Sequence, residues 1–566
     1  MNPASAAFTR AQVSCVRNST IAAVLAAACV SFAAAQNLVP GNLVVSRSVY
    51  TPNDSVKIGQ VLPPDCTSTT AGCAGAGGAI AGSAYPYIFN NDTYDGSFGI
   101  TSKILLDEID VYGNLVKTIE VPNSTMPGIK PTSDQLVTSF SSKSEEALHL
   151  SLGRNYISFI DYVAPVVTVD VSNSSTPGAP DPTNPVGIPY YRAAATMNAA
   201  GGFTFTETNA YSGNNGRAAI YNDLNGNEFF YTAGNAGNGS NPQPVGVVLG
   251  AGAQIIQRAT VPLYQQTPPG APTPVASFNI TELPANTKSD KIGKDDNFRG
   301  IAVYRDVLYY TKGSGGNGIN TVYFVDTTGT ACPNGVGVPA TGAALPTAPL
   351  AYNPATVATK GLPSNMCILS GFPTVLAKST TAPISFPFGI WFANPTTLYV
   401  ADEGDGYTGG SDLYTHAAAQ TTAGLQKWIF NTTTKTWSLA YTLQNGLLLG
   451  VPSAPNGYPT GINATTGLPW TPANDGLRNI EGLVGDGTYP QLPKGKVAIY
   501  GITSTISGGG DTGADPNRLM VVIDELANTD PAVAAKESFF TVRDANYGEV
   551  LRGITFTPGT ANITTY

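Results

Sequence analysis

Apolar and polar residues alternate with a period of two through most of this chain, and the pattern restarts several times in one form. Each restart has an arginine, a small residue, an apolar alternating run, a short turn, and a second aromatic-rich run that closes on a polar residue. Copies begin at Arg217 (RAAIYNDLNGNEFFYTAG), Arg299 (RGIAVYRDVLYYTKG) and Arg478 (RNIEGLVGDG, then KVAIYGITS). Looser copies are SEEALHLSLGRNYISFIDY from Ser144 and PFGIWFANPTTLYVADEG from Pro387, and a last copy, RGITFTP from Arg552, stops after its first run. No long segment carries a 3.6-residue apolar period, so the pattern predicts an all-β chain with few helices.

A recurring hairpin unit that cannot bury both faces alone predicts sheets stacked around an axis, a single β-propeller. Its copies start about 70 to 90 residues apart because loop insertions lengthen a unit of ~40 to 50. First runs near Glu146, Arg217, Arg299, Phe388, Arg478 and Arg552 count six blades, and the stretches 242–283 and 321–373, with poorly defined outer strands, leave room for a seventh. The truncated C-terminal copy needs a partner, since an open ring leaves a pairing edge. Asn42 to Tyr50 (NLVVSRSVY) has the form of a second run without a first, so the N- and C-terminal strands are expected to pair. Leu105 to Val111 and Leu115 to Val121 then form the outer hairpin of that blade, with 52–99 as a loop insertion and Asp405 to Thr422 as another.

Residues 1–36 hold Arg10, Arg17, no acid, and an apolar stretch ending in Ala33-Ala34-Ala35, the form of a secretory signal peptide, so the expected propeller domain is 37–566 and the expected location is extracellular or cell-wall associated. Charged residues are 12% of the chain, about half the usual share, and losing the two leader arginines takes the net charge from −9 to −11. Without a basic stripe to neutralise phosphates, nucleic acid is excluded as a partner, and no membrane insertion of the mature chain is expected. Cys66, Cys73, Cys332 and Cys367 remain after the leader. In an oxidising compartment they favour two disulfides, with local pairing, Cys66 to Cys73 and Cys332 to Cys367, preferred among three connectivities. Beyond the leader, nine Asn-X-Ser/Thr sequons, Asn91, Asn123 and Asn463 among them, suit a glycoprotein.

The ordered set SEEALHLSLGRNYISF, YSGNNGRAAIYND, FRGIAVYRDVLYY, PFGIWFANPTTLYVADEG and LRGITFTP resembles a group of secreted propeller proteins, with looser similarity to NHL-repeat and lactonase-like propellers. The resemblance spans nearly the whole mature chain. It implies export and the propeller fold, mostly without an assigned activity, and its lactonase-like side implies a ligand or calcium site in the central channel.

Histidine is nearly absent. His149 sits in an apolar run as an expected satisfied wall residue, His416 is read as lying in a flexible loop, and neither accompanies a GxSxG nucleophile motif. The distinctive constellation is Arg217, Arg299, Arg478 and Arg552, which the repeat places at one height around the axis with Glu146 and Phe388 in the remaining two places. Four guanidiniums near one mouth repel one another unless countered. Either a carboxylate, phosphate or acidic sugar binds there, or each arginine ties blades together through acids such as Glu146, Asp161, Asp402 or Glu481 or through loop carbonyls. Calcium, the one cofactor considered, would be held by Asp402 and Asp405 with Asn479 and Glu481. The aromatics of the second runs are expected to fill the core, and loop tyrosines Tyr85, Tyr87, Tyr407 and Tyr458 to be freer to meet sugars.

The leading expectation is a non-catalytic extracellular propeller that binds a polymer, glycan or protein through its loops, or a small anionic ligand. The alternative is a calcium-dependent lactonase or esterase-like hydrolase using the channel.

Overall fold

The computed structural model describes residues 37–62, 78–94, 96, 98–129, 135–177, 188–235, 252–259, 276–280, 296–314, 316–347, 364–379, 384–488 and 491–561, with 276–280 and 364–365 described by backbone alone. The leader, Cys66, Cys73 and the sequons at Asn238 and Asn562 lie outside them. No helix among the described residues is long and apolar enough to cross a membrane.

Six antiparallel blades form a ring. Blade 1 runs His149–Leu150, Tyr156–Tyr162, Arg192–Asn198 and Phe203–Thr208 from the axis outward. Blade 2 is Gly216–Asn222, Phe229–Gly234, Ala253–Gln257 and Ala276–Ile280, and blade 3 is Ile301–Tyr304, Val307–Lys312, Thr321–Val325 and Ser364–Leu369. Blade 4 holds Pro387–Asn394, Thr397–Asp402, Gly424–Asn431 and Thr436–Leu443, and blade 5 holds Ala473–Val484, Lys496–Ile506, Arg518–Glu525 and Phe540–Asp544. Outermost strands of blades 2 and 3 pair in parallel, Asn279 with Ser364, so each covers an edge of the other.

Blade 6 closes the ring from both chain ends, as the truncated last copy predicts. Glu549–Phe556 is innermost, Leu43–Val49 comes next, and Thr101–Ile109 and Leu115–Glu120 follow. Leu43 faces Phe556 and Val45 faces Ile554 in antiparallel register. The second-run aromatics fill the spaces between blades: Tyr231, Tyr310 and Tyr399 are all fully buried.

The small residue after Arg217, Arg299 and Arg552 has a steric cause, because neighbouring inner strands approach at backbone distance near the axis. A Cβ on Gly300 would meet the carbonyl oxygen of Phe388, and one on Gly553 that of Glu146. Ala147 and Ala218 form a parallel bridge between blades 1 and 2 in the same way.

The chain enters every inner strand on one face, and that face carries the insertions. The 52–99 insertion leaves Val49, which is paired with Glu549 at the start of its inner strand. Its Tyr85 and Phe89 pack with Tyr50, Phe140, Tyr458 and Trp470 into a buried aromatic cluster. Tyr85 and Tyr458, expected to be free, are each only 6% exposed, with hydroxyls donated to Ala514 O at 3.0 Å and to the Asp515 carboxylate at 2.7 Å, whereas Tyr87 is 48% exposed. Three sequon asparagines, Asn91, Asn123 and Asn463, are buried with engaged side chains and offer no glycan site in the folded chain. Cys332 and Cys367 are bonded, the pairing expected from their spacing.

Candidate functional site

At the entry face of the ring the inner strands set Arg217, Arg299, Arg478 and Arg552 around the channel mouth, as the repeat register predicts, but their partners differ in kind. Arg478, 6% exposed, donates Nε to Glu403 Oε2 at 3.1 Å, an acid reaching in from the end of the second strand of blade 4. Arg552, 3% exposed, donates Nε to Ser48 Oγ at 3.0 Å and Nη2 to the Phe140 carbonyl, and lies beside Glu146, Glu145 and Asp161. These two arginines fit the structural reading, in which acids and loop carbonyls tie one blade to the next.

The other two lack an acid of their own. Arg217 donates Nη1 to Phe298 O at 2.8 Å and to Asn297 Oδ1, and Arg299 donates to the hydroxyls of Ser144 and Ser314. Among the described residues neither lies within ion-pair distance of a carboxylate, and the Nε of each is buried without a partner. Burial lowers the pKa of Arg217 well below the ordinary arginine value, with the Arg299 charge adding to the shift. Burial likewise lowers Arg299, against the pull of the Glu403 carboxylate that Arg478 already holds. Each cation is thus desolvated beside another cation, an arrangement relieved by an anion between them. A cavity of about 180 Å3 opens on the Arg299 side, away from Arg217, lined by Arg299, Arg478 and Lys143 together with the acids Glu403, Asp405 and Asp475.

Glu146 does not face the mouth. It is fully buried, adopts φ of +66°, and accepts from Ser48 Oγ at 3.3 Å; burial pushes its pKa up to about 8 against the pull of Arg552. Asp161 is fully buried as well, and burial together with Glu146 and Glu145 drives its pKa well above the carboxylate range.

The four residues considered for calcium do not converge. Asp402 is fully buried, taking the backbone N–H of Phe386 at 2.9 Å and of Gly404 at 3.0 Å, and burial pushes it up to about 7. Asp405 meets His416 Nε2 at 2.6 Å. Asn479 donates Nδ2 to Arg552 O at 2.8 Å, and Glu481 accepts from Gly482 N at 3.0 Å at the opposite end of the channel. Among the described residues one acid-bearing group gathers its donor atoms within 4.8 Å of one another, Asp326 with Cys332 and Cys367, and there the two sulfurs are joined to each other.

Both histidines differ from expectation. His416 lies on the helix Leu413–Ala419, with its ring stacked 4.0 Å from that of Tyr407. His149 lines the narrow far end of the channel with Ile220, Ile301, Ile390, Ile480 and Glu481, but its buried Nε2 has no hydrogen-bond partner, and desolvation pushes its pKa down to about 4. The ring is therefore neutral at physiological pH. Sequence reasoning missed Lys143, Ser144 and Ser314. Ser144 opens the looser copy and Lys143 precedes it, two and three residues before Glu146, so extending the alignment of the copies upstream of the arginine position points to them.

No family model matches this chain, and no curated protein matches it. Among solved structures it is similar to a chain of an S. cerevisiae assembly, a Dbp5 variant bound to Nup159, a Gle1 variant, IP6 and ADP. The identity is 8%, the match covers 76% of this chain and 96% of that one, and the TM-score is 0.26.

Proposed function

We propose that this protein is a secreted, non-catalytic binding propeller that holds an extracellular glycan or protein on its insertion-bearing face and takes an anionic group of that ligand at the channel mouth. The observation that carries this reading is the unequal treatment of the four arginines. Arg478 is ion-paired with Glu403 and Arg552 has Glu146 as its strongest charged neighbour, whereas the strongest charged neighbour of Arg217 is the cation Arg299, and both Arg217 and Arg299 hydrogen-bond to neutral groups with a bare Nε. A carboxylate, phosphate or acidic sugar is the ligand class whose planar or clustered oxygens match forked guanidinium donors. The hydrolase reading draws less support, because Asp402, Asp405, Asn479 and Glu481 are spread over both ends of the channel and engaged with backbone groups.

Thermal melting of the purified mature chain with glucuronate, galacturonate or phosphate, against neutral sugars, tests the proposal. The expected result is a rise in melting temperature with one or more anions that Arg299→Ala abolishes. No rise with any anion overturns the mouth assignment, and chelator-sensitive turnover of lactone or ester substrates overturns the non-catalytic role.

A further inference from the structure

On the face opposite the arginine mouth, blades 3 and 4 diverge around a cavity of about 720 Å3 that the propeller axis does not touch. Three hairpin turns surround it, the ones following Tyr304, Asn394 and Asn431, together with the loop that follows Thr321–Val325. Its floor is Phe392, whose ring stacks on Tyr304 at 4.6 Å and 3° and meets Tyr309 at 4.6 Å. Its far wall is Trp437 with Phe430, ring centroids 5.2 Å apart. The loop that forms the third side is held in place twice. The Asp326 carboxylate accepts the backbone N–H of Thr328, Gly329 and Ala331 at 2.9, 3.0 and 2.8 Å, and Cys332 is bonded to Cys367 on the outermost strand. The aromatic walls and the braced loop make this a preformed hollow of ligand size.

Charge around the hollow is one-sided. Among the described residues its lining contains Arg305 and Lys435 and no Asp or Glu, in a chain whose net charge is −9. Both cations sit at hairpin positions with positive φ, +49° and +57°, and both are exposed. The turn also sorts its two charges: Arg305 lies over the Tyr304 ring, 5.9 Å from its centroid, while Asp306 falls on the side of Tyr231 in blade 2. Trp437, 7% exposed, and Phe392, 3% exposed, are too recessed for a flat partner surface to reach, so the occupant is a molecule that enters the hollow. A bare inorganic anion would gain nothing from aromatic walls, and a neutral apolar molecule would leave the acid-free cationic rim unused.

We propose that this groove between blades 3 and 4 is a second binding site, for an organic anion with an aromatic or aliphatic body and a carboxylate or sulfonate head. The body lies against Phe392, Trp437 and Phe430, and the head meets Arg305 and Lys435. The site is independent of the channel mouth, and its test separates the two.

The probes are anilinonaphthalene sulfonate and its uncharged relative N-phenylnaphthylamine, titrated by fluorescence into the full mature chain. Saturable binding of the sulfonate is expected, weakened by about tenfold in R305A/K435A, with the neutral probe changed by no more than about twofold. Ala343→Trp, which fills the groove, is expected to abolish binding of both probes, and Arg299→Ala to leave both unchanged. Sulfonate binding that is unaltered in R305A/K435A overturns the proposal, even if Ala343→Trp does not fold. Binding lost in Arg299→Ala but kept in R305A/K435A places the anion at the mouth and overturns the groove assignment while leaving the mouth reading intact.

Discussion

Glu403 accepts the Nε of Arg478 at 3.1 Å, and its charge also acts on Arg299, whose own guanidinium rests on the hydroxyls of Ser144 and Ser314. One carboxylate therefore faces two cations at the channel mouth while bonding to one. Glu403→Gln leaves Arg478 buried without a counter-charge, and a stability loss of about 2 to 3 kcal/mol is expected in denaturant titration. The same substitution makes the mouth more positive, so anion affinity is expected to rise. An unchanged unfolding midpoint would show that Glu403 is not the counter-ion.

How much of this was legible in the sequence follows from which residues alternate. Second strands such as Val307–Lys312 and Thr397–Asp402 are rich in Val, Leu and Tyr between turn residues, and their positions were readable to within one or two residues. Arg192–Asn198 was not read as a strand. It is RAAATMN, an alanine-rich run covered on both faces, and so without period-two alternation. The arginine ring was readable because repeat register fixes height around an axis. Its pairing was not, because the acid that Arg478 meets lies 75 residues away in another blade, and no local spacing encodes that contact. Loop tyrosines such as Tyr85 and Tyr458 look identical in sequence to surface residues, and only the folding of the insertion over the entry face buries them.

The buried carboxyls predict an acid-favoured fold. Burial pushes Asp402, Asp475, Asp515 and Glu481 up to about 7, and Glu146 up to about 8. Between an unfolded value near ~4 and these folded values, the native chain holds protons that the unfolded chain has released, so stability falls as pH rises through that window and levels off above it. His149 acts in the other direction: with a folded value of about 4 it adds stability as pH rises towards ~6.5. With Asp161 and Glu537 raised as well, these carboxyls outweigh His149 and give a melting temperature that is higher at about pH 5 than at about pH 8. The combined Asp402→Asn and Glu481→Gln variant is expected to flatten the slope, and a slope of opposite sign would show that these carboxyls are ionised in the native state.

The bond between Cys332 and Cys367 closes a 35-residue separation and ties the loop after the third strand of blade 3 to its fourth strand. Chain-entropy arguments put its contribution at roughly 4 kcal/mol. Replacing both residues with serine is expected to lower the melting temperature and to loosen the loop that walls the groove between blades 3 and 4. Thiol titration of the denatured, unreduced protein checks the premise directly, since Cys332 and Cys367 must be unreactive before reduction.

Ring closure depends on a side chain as well as on the strand ladder. The pairing of Leu43–Val49 with Glu549–Phe556 shifts register between Val45 and Arg47, so the backbone ladder is interrupted at Ser46. Ser46 is fully buried, and its Oγ accepts the N–H of Gly553 at 2.8 Å while donating to the carbonyl of Glu146 at 3.2 Å. One hydroxyl thus joins the N-terminal strand to the C-terminal strand of blade 6 and to blade 1 across the seam. Ser46→Ala removes both bonds at once and leaves a buried N–H and a buried C=O without this partner, at a cost of about 1 to 3 kcal/mol. Ser46→Thr keeps the hydroxyl and is expected to retain most of that stability. Because the seam is where the two chain ends meet, opening should begin there. Hydrogen exchange at Val44, Val45 and Ile554 is expected to accelerate in Ser46→Ala well before exchange in Tyr399 or Val522, which lie in strands of blades 4 and 5. Equal acceleration in all six blades would mean that the ring unfolds as one unit and that the seam holds no special place.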